Sequence, residues 1–187
     1  MKYEFTEETM NQDGHILHRI KRLSDGKIGG WIESEENLSQ DGNCWIDDEA
    51  KVYGNAKVYG NAQVYDAVWI CNNAQVYDNA QVYGNAWVAR DAKVYDNAKI
   101  FGNAEVYDKA KVYGNAEISD NAQVYGNAQV HESAYVFGKA KVYDNAFVCG
   151  DAKICGIAKV YGNIDITSRT YANGDYYFNN INNYKFL

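Results

Sequence analysis

From Ala50 onward the chain repeats itself every six residues without a slip. It reads AKVYGN AKVYGN AQVYDA VWICNN AQVYDN AQVYGN AWVARD and stays in step as far as AKVYGN at Ala158. Val or Ile recurs at every sixth position from Val52 to Ile166, and Ala stands two places before each, with Val68 and Ile164 as the substitutes. Two apolar residues in alternation, followed by a polar turn pair, describe a short strand that ends at a corner. A spacing of 2 and 4 drifts around a helical wheel and makes no apolar face, which excludes amphipathic helices. The Ala and Val side chains point inward, and the residue between them and the residue after Val point out. Gly, Asp and Asn in the turn pair tolerate the left-handed backbone a corner requires. An unbroken series of such sides lets each coil lie on the one before it and pair with it.

Composition follows from the repeat: Pro 0, Gly 16, Tyr 17 and a hydrophobic share of 47% made largely of Ala, Val and Tyr. The net charge of -7 is local. Residues 1–50 carry 12 acidic and 5 basic side chains, whereas residues 51–187 carry 13 of each. A neutral body with an acidic end offers no basic stripe for nucleic acid. The start, MKYEFTEETM, is mostly polar, and no run of 18 apolar residues occurs, so no membrane partner is expected. The expected setting is the cytoplasm.

The pattern resembles the hexapeptide-repeat family, whose motif of aliphatic, Gly, any, Asn, small, any is matched by Val58-Tyr59-Gly60-Asn61-Ala62-Gln63 and its copies, with Tyr in place of the first Gly. The resemblance implies an all-β, left-handed parallel β-helix with 18 residues per triangular coil. Residues 44–166 then make about seven coils, a rod of about 30 to 35 Å at ~4.8 Å per strand. The stretches Gly29-Gly30-Trp31-Ile32, Asn37-Leu38-Ser39-Gln40 and Gly42-Asn43-Cys44-Trp45-Ile46 are similar to the entry segment of transferase-like hexapeptide-repeat proteins of bacteria and their phages. For a phage-encoded chain, this implies the host cytoplasm and a host factor as the protein partner. Residues 1–43 are expected to form an N-terminal β cap, with a hairpin turned at Asp13-Gly14, and residues 167–187 a C-terminal capping tail, all within one structural domain.

Folding the register by 18 sorts the residues after each core Val into three columns. One reads Tyr59, Tyr77, Tyr95, Tyr113, His131, Cys149. A second reads Tyr53, Cys71, Ala89, Tyr107, Tyr125, Tyr143, Tyr161, and the third Tyr65, Tyr83, Phe101, Ser119, Phe137, Cys155. Stacked aromatics stabilise a sheet, and a flat aromatic face also marks an interface. The candidate binding surface is therefore Tyr59, Tyr77, Tyr95 and Tyr113, Tyr107, Tyr125, Tyr143 and Tyr161, with Trp69 and Trp87. The two Trp lie on adjacent coils where their column shrinks to Cys71 and Ala89, a pattern of compensating packing.

The family's acyltransferases use a catalytic His and loops that break out of the coils. Between Ala50 and Ile166 no insertion occurs, and His131 is the one candidate base. No three-His zinc set is available. His15 and His18 fall on opposite faces of a strand, so no metal site is expected. Cys71, Cys149 and Cys155 lie on different sides of the triangle, beyond the ~7 Å Cα limit for a disulfide, and read as free thiols. No phosphate-binding Gly loop appears and no cofactor is implied. Ice binding calls for Thr arrays that are absent. The leading reading is a non-enzymatic structural or interaction protein whose Tyr-lined faces bind copies of itself, as a trimer or dimer, or a cellular protein. The alternative is an acyltransferase with His131 as base, and a third reading has the aromatic faces stacking on carbohydrate or nucleotide ligands.

Overall fold

The six-residue period is realised as a parallel β-solenoid in a computed structural model, which describes residues 1–167, 171–173 and 177–178. From Trp45–Ile46 to Asp165–Ile166 each hexapeptide contributes one strand of two or three residues. Strands 18 residues apart pair in parallel, as in Lys57↔Gln75, Gln75↔Lys93 and Lys93↔Lys111. Three sheets result, one for each side of the coil. The first side contains Val52 and Ile70, the second Val58 and Val76, and the third Ile46 and Val64. Ala and Val fill the interior in stacked layers, and from Ala50 to Val160 every one of these positions is at most 1% exposed. An Ala beside each Val keeps three facing sides close enough to pack without a void.

The solenoid runs for about eight coils rather than seven. Trp31–Ile32 pairs in parallel with Lys51–Val52, Leu38 bridges to Val58, and Trp45–Ile46 pairs with Gln63–Val64. Irregular sequence thus enters the coil register well before the repeat is visible. At the other end, Tyr171–Asn173 pairs with Lys153–Cys155, and Tyr177–Phe178 with Lys159–Val160. The remainder of the expected C-terminal cap lies outside the described residues.

At the start of the chain, β1 (Tyr3–Gln12) and β2 (His15–Arg22) form an antiparallel hairpin through Asp13-Gly14, and β2 pairs with β3 (Ile28–Ile32). The hairpin covers the end of the core: Tyr3 and Ile20 are buried with Ile32, Leu38 and Cys44, and Tyr3 Oη donates to the Leu38 carbonyl at 2.9 Å. Gly29 and Gly30 permit this closure, because a Cβ on either would stand 2.6 Å from Trp45 or from the Ala50 carbonyl. Asn37 is fully buried and fully satisfied. Its Oδ1 accepts the N–H groups of Glu33 and Ser34, and its Nδ2 donates to the carbonyls of Gly54 and Ala56.

The corners have a chemistry of their own. The fifth residue of each hexapeptide has positive φ, from Gly60 (70°) to Asp78 (55°), Arg90 (60°) and Glu132 (57°). Where that residue is acidic, its carboxylate accepts the N–H of the residue one coil on: Gly84 on Asp66 at 2.9 Å, Gly114 on Asp96 at 3.1 Å and Gly138 on Asp120 at 2.9 Å. The bond offsets the cost of a left-handed non-glycine residue. The sixth residue builds amide ladders, the longest joining Asn43, Asn61, Asn79, Asn97 and Asn115 through bonds of 3.0 to 3.3 Å.

Because the core is one thin column, a cavity at mid-rod has no alternative packing to collapse onto. Ile100→Ala, at a fully buried position, is expected to cost about 2–4 kcal/mol in urea unfolding, whereas Lys153→Ala on the outer face changes stability by less than about 0.5 kcal/mol.

Candidate interaction surface

The residue after each core Val sits where the strand turns into its corner, and its side chain folds back along the sheet instead of projecting into solvent. Tyr59 Oη reaches Gln75 Oε1 at 3.5 Å and Tyr113 Oη reaches Gln129 Oε1 at 3.4 Å, each in the next coil of the same side. The column residues expected to point outward are accordingly half-buried, and Tyr53, Cys71, Ala89, Ser119, Cys149 and Cys155 are buried outright.

On the second side, Tyr59, Tyr77, Tyr95 and Tyr113 stack with centroids 4.7–5.0 Å apart and ring planes within 2° of parallel, and His131 continues the column at 4.6 Å and 4°. On the first side, Tyr107, Tyr125, Tyr143 and Tyr161 stack at 4.9–5.0 Å. Strand spacing sets these distances, and offset ring packing at such distances is attractive. The predicted Tyr residues are therefore brought together, as two separate ladders on two sides of the rod.

Trp69 and Trp87 are register partners, as the spacing implies, but they diverge. Trp87 tilts onto Tyr107 at 5.7 Å, while Trp69, 38% exposed, lies under Lys51 Nζ at 5.1 Å. The space over Cys71 and Ala89 is taken by the hairpin, whose fully buried Leu17 forms a cluster with Trp31, Tyr53, Cys71 and Ala89, with Met10, Trp87 and Tyr107 packed against it. The same exchange occurs elsewhere. Where a column residue is small, an aromatic takes the outward strand position nearby: Tyr135 bonds Ser119 Oγ through its Oη at 2.9 Å and stacks on Phe137, and Phe147 meets His131 edge-on near Cys149.

This arrangement turns His131 into a rung. Its Nε2 is buried and has no hydrogen-bond partner among the described residues, closed in by Tyr113 on one face and the edge contact with Phe147. Glu132 does not serve it, since its carboxylate accepts the Gly150 N–H at 2.7 Å. His15 pairs with Glu33 at 2.8 Å and His18 stacks on Phe5 at 4.9 Å, so the two act separately. Among the described residues no group of three His, Cys, Asp or Glu is placed to hold a metal ion, and no helix is long and apolar enough to cross a membrane. The four cysteines are buried and free, and burial pushes the Cys149 thiol up.

A shallow polar groove follows the corner beside the second-side ladder, lined by Gly60, Asn61, Asp78, Asn79, Asp96, Asn97 and Gly114. The sequence signal for it is the run of Gly-Asn and Asp-Asn pairs 18 residues apart, which reads as turn chemistry alone until the coils are stacked.

Burial and neighbouring phenols, with Asp78 and Asp96 beyond them, push Tyr77 up to about 12, and Tyr125 rises to about 12 in the same way. The folded chain thus holds these protons more tightly than the unfolded chain, where tyrosine titrates near 10. The associated stabilisation is complete below pH ~10 and is lost as pH climbs through about 12. Absorbance titration at 295 nm is expected to show ladder phenols ionising late in the folded protein and near pH ~10 in urea.

Three segments, residues 50–66, 74–90 and 116–132, match the family model for the YdcK beta solenoid repeat. Each match covers close to one coil, and the similarity is one of repeat architecture. No curated protein matches the chain. The repeat and the fold together place the chain among β-solenoid repeat proteins.

Proposed function

We propose that the protein is a non-enzymatic scaffold, a rigid and left-handed β-solenoid rod whose Tyr-lined faces mediate self-association or dock a protein partner in the cytoplasm. The observation that carries this reading is the continuity of the aromatic ladders along coils from which no loop departs. A flat, regular, amphipathic surface suits docking, since Tyr supplies rigid contact area at little cost in side-chain entropy. A reactive centre needs convergent groups around a space for substrate. The second side instead offers rings packed face to face and a His whose Nε2 is covered. If the chain is phage-encoded, the docked partner is a host factor.

The covered Nε2 also separates this reading from acyl transfer, which needs that atom within reach of an acceptor. Calorimetric titration with acetyl-CoA is expected to give no binding heat, with His131→Ala indistinguishable from the unsubstituted protein. Binding of acetyl-CoA that His131→Ala abolishes would overturn the proposal in favour of the transferase.

A further inference from the structure

The three sides are not equivalent. On the third side, the outward strand position sets Lys99 beside Glu117 as an ion pair at 3.1 Å. On the second side, the same position sets Lys93 directly against Lys111, with Lys109 exposed at the adjoining corner. None of these three has an ion pair among the described residues. Like charges in register on neighbouring strands disfavour the sheet, and local rules are broken most often where a surface has another use. The opposite margin of that side is acidic. Asp78 and Asp96 stand at the corner after the strand, and each commits one oxygen to the N–H one coil on. The second side therefore has a basic margin, a column of parallel Tyr rings down the middle and an acidic margin.

From this layout we infer that the second side is a homodimer interface, in which two rods lie side by side and parallel. The inference rests on the self-association branch of the proposed function and names its face and symmetry. A two-fold axis running along the rods exchanges left and right on the facing sides. It sets the basic margin of each copy against the acidic margin of the other, with ladder against ladder between them. Lys93 then lies at the level of Asp96 of the second copy, whereas Lys111, one coil or ~4.8 Å further on, is level with Gly114. A two-fold axis across the rods sets lysine on lysine and is disfavoured by the same charges. The side is large enough. Seven strands at ~4.8 Å by six residues at ~3.3 Å give roughly 670 Å², on the scale of the ~800 Å² per partner of standard interfaces. The first side is less suited, because the hairpin packs over its Cys71 and Ala89.

The symmetry makes a charge-swap experiment decisive. Two variants of the full chain are needed, Lys93→Glu/Lys111→Glu and Asp78→Arg/Asp96→Arg. The corner accommodates the second pair, because Arg90 already occupies the equivalent position with φ 60°. Far-UV circular dichroism and thermal melting establish that both variants are folded. In sedimentation equilibrium at low salt, the unsubstituted chain is expected to dimerise, and each variant alone to bind itself at least tenfold more weakly. An equimolar mixture of the two is expected to regain the dimer, since both seams then join opposite charges. A dimer that persists in both variants, or one that the mixture fails to restore, overturns this interface and leaves self-association through another face standing. A monomer of the unsubstituted chain up to ~100 µM overturns both the interface and self-association.

Discussion

Every feature of this rod depends on one constraint: the chain must return to the same place every 18 residues so that each backbone donor meets an acceptor one coil on. Lys57 N–H finds the Ala74 carbonyl, Tyr59 finds Val76 and Asn61 finds Asp78, and the same three bonds recur along the body. A buried sheet cannot leave these groups unpaired. From Trp45 onward the frame holds, because a residue inserted within a strand would turn its core Val outward, whereas the opening coil pairs Trp31 with Lys51 and Leu38 with Val58 at a spacing of 20. The unbroken coils between Ala50 and Ile166 are the same constraint seen from outside.

The corner chemistry shows how side chains protect the register once the backbone has set it. A left-handed backbone suits Gly, yet the column through Asp66, Gly84, Gly102 and Asp120 mixes types, because an acidic residue caps the next N–H while a Gly lets the neighbouring coil approach. The Asn ladders add a second line of bonds outside the backbone. Such devices replace the large side chains that a core of Ala and Val cannot hold.

The repeat period made the coil, its core and the three outer columns legible, since inward and outward positions follow from strand geometry alone. Burial of the columns was not legible. The sequence places Cys71, Ser119 and Cys149 on the outside, but in the fold the aromatic side chains lie flat along the sheet, and the hairpin reaches over the first side. Nor did the period disclose the opening coil, where Ile32, Leu38 and Ile46 hold core positions within an irregular stretch. Its register depends on Asn37 and on the close approach at Gly29-Gly30, which are tertiary effects. The column places His131 next to Tyr113, but the edge contact with Phe147 that helps to cover its Nε2 does not follow from the period. Phe147 and Tyr113 turn the His into packing.

A ladder of identical rungs carries an ambiguity that bears on any docking function. If every level presented Tyr, Lys and Asn alike, a partner rod could slide by one coil and lose only the contacts of a single rung, so the surface would be adhesive but would not specify a position. Irregular residues distinguish one level from another. Lys93 and Lys111 face Gln75 below and Gln129 above, and Asp78 and Asp96 lie between Gly60 and Gly114 in their column. Charge is thus uneven along the second side, with Lys57, Lys93 and Lys111 in the strand column and Asp78, Asp96 and Glu132 in the corner column. In the proposed dimer, such departures from the consensus place the charges, while the regular rungs supply the area.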